Sequence, residues 1–415
     1  MDIIYLLNIM GCLVLNLLPV IYISRYFRIG LVNPVSIQYV FNLPVYLMAL
    51  IFGPSVLLER GVFDEWFNYV LLIENLSSAC SFFSLIICIN IVSKSNFLKN
   101  IIISSVGSCV LQRRRMIAAL IFIFVLYLIS FILLTRAYGV VNWIVNPREG
   151  YQFYRQGVGH WYAFSIFFLT ISYVLSIIYL KDLPNLISIG VHLSCVYLLG
   201  SKALILSYAI FYLIFLWFSN RPRLKWGFVT MAPIAVAMLL INFGSNNIDA
   251  FAEYFDAYVN SANYYEEYFS GRIKLYYGYL WWTDFYKYMP RAIFETKPYV
   301  YGFLHVNEYF FPGAAEATHT TSFAGGVQVF ADFGILGVVF SSVFSPSIML
   351  NCILMFNIYS NPARGFGLAS KNIGYFAVFL ILFAPSFMMF FGFFYATLLF
   401  AFLMVIITTF NKVKL

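Results

Sequence analysis

The apolar residues of this chain come in blocks about 20 residues long, the length a helix needs to cross ~30 Å of hydrocarbon. Hydrocarbon offers the backbone no water, so a crossing segment must satisfy its own amides, as helices do. The blocks are too long for barrel strands. Composition agrees: 10% of the 415 residues are charged and 62% hydrophobic, against roughly 25% charged in a soluble domain. The expected fold is an all-α polytopic membrane protein with about eleven spans, at 3–23, 34–57, 69–93, 116–135, 161–180, 184–200, 202–219, 226–243, 326–354, 372–390 and 393–411. The first reads as a retained span. It lacks a basic leading region, and Asn8, Asn16 and Pro19 interrupt its apolar core.

The net charge of +8 is not a nucleic-acid footprint, because it divides between the two ends of the spans. Arg25, Arg28, Lys94, Lys99, Arg113, Arg114, Arg115, Lys181, Arg221, Arg223, Lys225, Arg364, Lys371, Lys412 and Lys414 all follow odd-numbered spans. Asp182 is the single acid among them, and the even-numbered exits hold nearly all the others. Basic loops stay on the cytoplasmic side, which puts the N-terminus outside and the C-terminus inside. Eleven spans demand the same. The cysteines lie in spans or in the basic loop holding Cys109, so no disulfide framework is expected.

The expected organisation is one membrane domain, residues 1–415, without internal repeats. Two outside segments are long, 136–160 and 244–325. The second carries 13 Tyr, 9 Phe and 2 Trp, with nine acids and five bases. A disordered linker is poor in aromatics, so this loop should fold, as short helices lying on the membrane surface. RIKLYYGYLWWTDFYKYM (272–289) reads as one amphipathic helix with Tyr and Trp at headgroup level. Gly325 and Gly326 read as a helix entry.

No phosphate-cradling glycine loop, CxxC, HExxH or GxSxG is present, and four histidines without ligand spacing argue against a metal centre. What remains is a set of outward cations among aromatics: Arg148 and Arg155 beside Tyr154 in the first loop, Arg272, Arg291 and Lys297 around Trp281 and Trp282 in the second, and Lys202 at an outer helix junction. Guanidinium groups bind diphosphate in a two-pronged way and stay charged, and aromatic faces stack on sugars. The set suggests a site for a sugar-linked lipid diphosphate. The blander reading is that such residues anchor the protein in the headgroup layer.

Three features resemble the bacterial O-antigen (oligosaccharide repeat unit) polymerases, which share an architecture with O-antigen ligases. They are the dominant late outside loop, MPRAIFETKPYVYG (289–302), and HTTSFAGGVQVFADFGILGVVF (319–340) with Gly334 and Gly337 as a Gly-x-x-Gly pair. GSK (200–202) and FYRQGVGHWY (153–162) are weaker matches. The resemblance implies a metal-independent, inverting glycosyltransferase without cofactor, in the bacterial inner membrane. It would move a growing glycan from undecaprenyl diphosphate onto a lipid-linked repeat unit at the periplasmic face, in contact with membrane lipid and a chain-length regulator. Arg155, Arg272 and Arg291 would stabilise the leaving diphosphate, with Lys202, Lys297, Arg148, Tyr154, Trp281 and Trp282 binding substrate. His319 would be the general base and Asp332 the second choice. His319 stands where the ligases carry His-Asn, here His-Thr.

Each residue has a structural alternative. His319 could cap a helix entrance, and Asp332 could pair with a cation at the membrane edge. His160 reads as interfacial, His192 as an interhelical partner, and His305, in a turn region, carries no signal. Glu74 should face the bundle interior, and Asp64 and Glu65 read as surface acids. Other function classes also compete. A flippase would carry charges inside several spans and show repeated halves. A scaffold or chain-length regulator would carry two spans and a long coiled coil. An O-antigen ligase would use the same donor with a lipid A-core acceptor.

Overall fold

The computed structural model describes residues 3–27, 65–98, 113–151, 158–201 and 247–359, apart from 137, 181, 290–293, 317–320 and 325, with isolated residues between 36 and 50 and between 204 and 212. Its longer helices are α1 (Ile3–Tyr26), α2 (Glu65–Lys94), α3 (Arg113–Thr135), α4 (Val140–Val145), α5 (Gly159–Tyr179), α6 (Asp182–Leu198), α7 (Asn247–Phe269), α8 (Tyr279–Thr283), α9 (Leu304–Phe310), α10 (Val327–Val343) and α11 (Pro346–Tyr359). No strand occurs among the described residues. Among the described residues four helices are long and apolar enough to cross a membrane, at Ile3–Tyr26, Glu65–Lys94, Ile117–Thr135 and Gly159–Ile177. The all-helical class read from the sequence holds. The expected spans 226–243, 372–390 and 393–411 lie outside the described residues, as do most of 34–57 and 202–219.

The chain forms two compact units. The first joins residues 1–94 to 243–352. In it α1 and α2 meet closely at Gly11, where an added Cβ would lie 2.8 Å from the Asn75 Oδ1. Asn75 Nδ2 in turn donates to the Asn8 carbonyl at 2.9 Å. Small residues with paired amides are how apolar helices associate where water supplies no driving force. On another stretch of α2, the Ser77 and Ser342 hydroxyls meet at 2.9 Å, and Ser84 donates to the Val343 carbonyl at 2.6 Å, fixing α10 along α2.

The third partner of α2 is α7, and it corrects the reading of 244–325. That segment was expected to hold short helices, but it opens with one of 23 residues. Its aromatic face packs on α2: Trp66 stacks on Phe269 at 5.4 Å, Tyr69 meets Tyr265 edge-on at 4.9 Å, and Tyr258 donates to the Glu74 carboxylate at 3.4 Å. Tyr264, Tyr265 and Phe330 are fully buried. Burial of each such ring is worth roughly 1.5–3 kcal/mol. The aromatic excess of this segment is therefore partly core.

Two further expectations change. The span 326–354 is two helices, α10 and α11. Pro346 keeps Ser345 out of the helical region, which ends α10. Within α10, Gly334 adopts φ 63 and ψ −155, a conformation open in practice only to glycine. The single helix expected over 272–289 is instead a turn, the five-residue α8 and a short 3-10 helix, Asp284–Tyr288. The span expected at 184–200 is the 17-residue α6, about 25 Å long at 1.5 Å per residue.

In the second unit, residues 95–242 and 353–415, α5 packs against α3 and α6. Asn185 donates to the Ser176 and Ile177 carbonyls at 3.2 and 2.9 Å. The His192 ring joins the Ser172 hydroxyl at 2.9 Å, the interhelical role expected of it.

Candidate functional site

The break in α10 creates the most distinctive feature of the first unit. Gly271 (φ 77) ends α7, with Arg272 N–H donating to the Glu267 carbonyl at 3.0 Å. The chain then reaches α10, where the N–H groups of Tyr276 and Tyr277 donate to the carbonyls of Ala331 and Asp332, both at 2.9 Å. A continuous helix would pair those carbonyls with residues 335 and 336, and the break at Gly334 opens that register. Tyr277 (φ 50) and Gly278 (φ 88) reverse the chain.

The Asp332 carboxylate then caps the start of α8 from across the interface. Its Oδ1 accepts from Gly278 N–H at 3.1 Å and Leu280 N–H at 3.0 Å, and its Oδ2 from Trp281 N–H at 2.7 Å. A helix start leaves N–H groups without partners, and a carboxylate is well suited to them. Asp332 is buried. The result is a rigid turn that presents Trp281 and Trp282, 47% and 74% exposed, outward.

Beside the turn lies an ionic and aromatic group. Arg272 grips Glu267 with two bonds, Nε to Oε2 at 2.7 Å and Nη2 to Oε1 at 2.8 Å. Tyr309 of α9 donates to the same carboxylate at 2.9 Å. The hydrogen bond from Arg272 holds the Glu267 carboxyl below its ordinary value. His305, also on α9, sets its ring against Tyr279 at 5.0 Å and Tyr276 at 6.5 Å. Its Nε2 is shielded from solvent and has no hydrogen-bond partner, and burial pushes its pKa down. Two residues on, the buried Asn307 accepts from Thr321 N–H at 2.9 Å and from the Thr321 hydroxyl. Ser261 of α7 donates to the Ala324 carbonyl at 2.8 Å. The segment 321–324 is thus fastened to α7 and α9. Gly326 (φ 67) immediately precedes α10, the helix-entry role expected of it.

The chain is similar to O-antigen polymerases. Two curated proteins of that name, from Salmonella typhimurium (strain LT2) and Salmonella typhi, are each 27% identical to it over 256 residues. The match covers 58% of this chain and 58% of each relative, so it spans less than two thirds of their length. No protein-family model matches the chain, and no solved structure matches it. The resemblance read from the late loop and the Gly-x-x-Gly segment is supported by these relatives.

Of the site residues read from that resemblance, the structure brings Asp332, Trp281 and Trp282 together at the turn. Arg272 lies at the neighbouring Glu267 pair. Lys297 donates to the Met289 carbonyl at 3.0 Å and sits over the Tyr301 ring at 4.7 Å. Arg148 belongs to the second unit, where its Nη1 approaches the Gly200 carbonyl at 3.4 Å and its guanidinium lies 5.3 Å from the Tyr151 ring centre. That places Arg148 against Gly200, just past the end of α6 and two residues before Lys202 in the sequence. Lys202, Tyr154, Arg155, Arg291 and His319 lie outside the described residues. Sequence reasoning missed Glu267, Tyr309 and Asn307 and dismissed His305. The adjacent Glu266 and Glu267, five or six residues before Arg272, were the available signal for the pair. Nothing in the sequence marked Asn307. Among the described residues no three His, Cys, Asp or Glu side chains lie close enough to share a metal ion.

Proposed function

We propose that the protein is an O-antigen repeat unit polymerase of the bacterial inner membrane. The observation that carries this reading is the 27% identity over 256 residues to two proteins named O-antigen polymerase. The donor would be a glycan on undecaprenyl diphosphate and the acceptor a lipid-linked repeat unit, on the periplasmic side that 244–325 would face. The N-terminus would then be periplasmic and the C-terminus cytoplasmic, and a chain-length regulator would be a partner.

The reaction is an inverting substitution at the anomeric carbon. The acceptor hydroxyl oxygen bonds to that carbon, and the bond to the diphosphate oxygen breaks with its electron pair. Charge grows on the diphosphate, and fixed guanidinium groups can stabilise it without a metal. Arg155 and Arg291 are the leading candidates, with Lys202 and Lys297 behind them. Arg272 has its fork on Glu267, so it would have to exchange that carboxylate for phosphate. The exposed Trp281 and Trp282 would offer faces to sugar rings or to the headgroup layer. Asp332 gives both carboxylate oxygens to backbone N–H groups, which favours an anchoring role over that of general base. His319 stays the base candidate read from the resemblance.

The test is elongation of purified lipid-linked repeat units by the protein in proteoliposomes. The wild type should build a ladder, with or without EDTA. Arg155→Ala and Arg291→Ala should each lower the rate 10²–10³-fold, the usual cost of one lost transition-state donor, and Lys should restore part of it. A wild type that makes no ladder from competent substrates overturns the reading, and an enzyme silenced by EDTA overturns its metal-free chemistry.

A further inference from the structure

A nitrogen shielded from solvent and left without a hydrogen-bond partner bears its desolvation cost unrelieved, so its persistence calls for a reason. His305 Nε2 is such an atom, and it lies beside the turn that α10 holds most firmly. We propose that His305, in place of His319, is the proton acceptor for the attacking hydroxyl, which rests on the polymerase reading above.

Three observations converge on it. The ring is positioned: it packs against Tyr279 and Tyr276, and both lie in the turn that Ala331 and Asp332 bind by its backbone. A base must be held to within about half an ångström of its working place, and this turn is tied by five hydrogen bonds to two residues of α10. The ring nitrogen Nε2 is also uncommitted, with no hydrogen-bond partner. Two neighbouring acids are engaged elsewhere, Asp332 with backbone and Glu267 with Arg272 and Tyr309, while Glu308, three residues on from His305, gives Oε1 to Gly313 N–H and keeps Oε2 buried without a partner. Tyr276 and Tyr279 face the ring from the turn, and Tyr309 shares its helix. Lastly, burial favours the neutral imidazole, the form that accepts a proton. α9 also fastens Thr321 through Asn307, so the segment following His319 is tied to the helix that carries His305.

The step balances simply. As the acceptor oxygen bonds to the anomeric carbon, its proton passes to the His305 imidazole. The resulting imidazolium later releases that proton to solvent, and the diphosphate departs with the electron pair of the broken bond.

The test measures elongation in proteoliposomes against pH for wild type, His305→Gln and His305→Phe, the last keeping a ring against Tyr279. The wild-type rate should fall as pH drops through a value below about 6.5, the ordinary histidine value. Both variants should lose at least 100-fold in kcat, with donor KM unchanged and the acidic limb gone. In the wild type, carbethoxylation of His305, read by peptide mass, should slow when acceptor substrate is bound, a readout that needs no variant. An active His305→Phe enzyme with the wild-type pH profile overturns the proposal while leaving the polymerase reading intact. Carbethoxylation of His305 indifferent to acceptor overturns it too. A wild type inert toward competent substrates overturns the polymerase reading itself.

Discussion

The two units each fasten an irregular segment to a helix, by opposite means. In the first, a buried carboxylate on the helix collects backbone N–H groups of the segment: Asp332 takes those of Gly278, Leu280 and Trp281. In the second, side chains of the segment donate to carbonyls at the end of α6. Trp143 Nε1 reaches the Leu198 carbonyl at 2.8 Å, and Arg148 reaches that of Gly200. Helix ends expose N–H groups at one end and carbonyls at the other, so acids suit the first and indole or guanidinium donors the second. The consequence is a difference in concentration. Three of the five hydrogen bonds that hold the turn at 276–281 go to one side chain, whereas the 140–150 segment rests on the packing of Trp143, fully buried against Gly150, with Arg148 adding a long and exposed contact.

Removing the single anchor should have the largest effect. Asp332→Ala leaves three N–H groups without their acceptor, each costing about 1–3 kcal/mol where buried. Hydrogen exchange over 276–283 should accelerate strongly and polymer formation should vanish. Asp332→Asn is the sharper variant. Its amide oxygen can still serve Gly278 and Leu280, so an anchor predicts partial activity. Complete loss with normal exchange protection would make Asp332 a chemical base after all.

The packed anchor of the second unit should respond in proportion to the packing lost. Trp143→Ala should cost about 3–5 kcal/mol and lower the melting temperature of the detergent-solubilised protein, with faster exchange at 140–150. A loss no larger than that of Arg148→Ala, whose contact is exposed and worth at most about 1 kcal/mol, would break the contrast between the two segments.

The smallest effect belongs to the Arg272–Glu267 pair. Arg272 depresses the Glu267 pKa, so the pairing is in place above the ordinary carboxylate value and is lost as pH falls through the depressed one. Both groups are close to solvent, and exposed pairs contribute little. The difference in melting temperature between wild type and Glu267→Gln should therefore be small at pH 7 and disappear in acid. A large difference at pH 7 would mean that Tyr309 and Arg272 make this carboxylate a structural hub of the first unit.

The hydrophobic blocks determined the helical class and located α1, α2, α3 and α5 to within a few residues, because crossing hydrocarbon is a demand that composition alone records. The Gly334–Gly337 pair and the aromatic late loop fall where the structure has its helix break and the turn bound by Asp332. Periodicity over 272–289 suggested one helix, and nothing local to that stretch forbade it. The contradiction comes from more than fifty residues away, where Asp332 and the break at Gly334 offer acceptors that a turn can reach and a continuous helix cannot. The same holds for Trp66 and Tyr69, which find α7 by packing, and for His305, featureless in sequence and conspicuous once its Nε2 is buried. Sequence set which segments could be helices in lipid. Only tertiary structure decided which backbone groups were left over and which side chains would satisfy them, because a hydrogen-bond partner is fixed by position in space rather than by order in the chain.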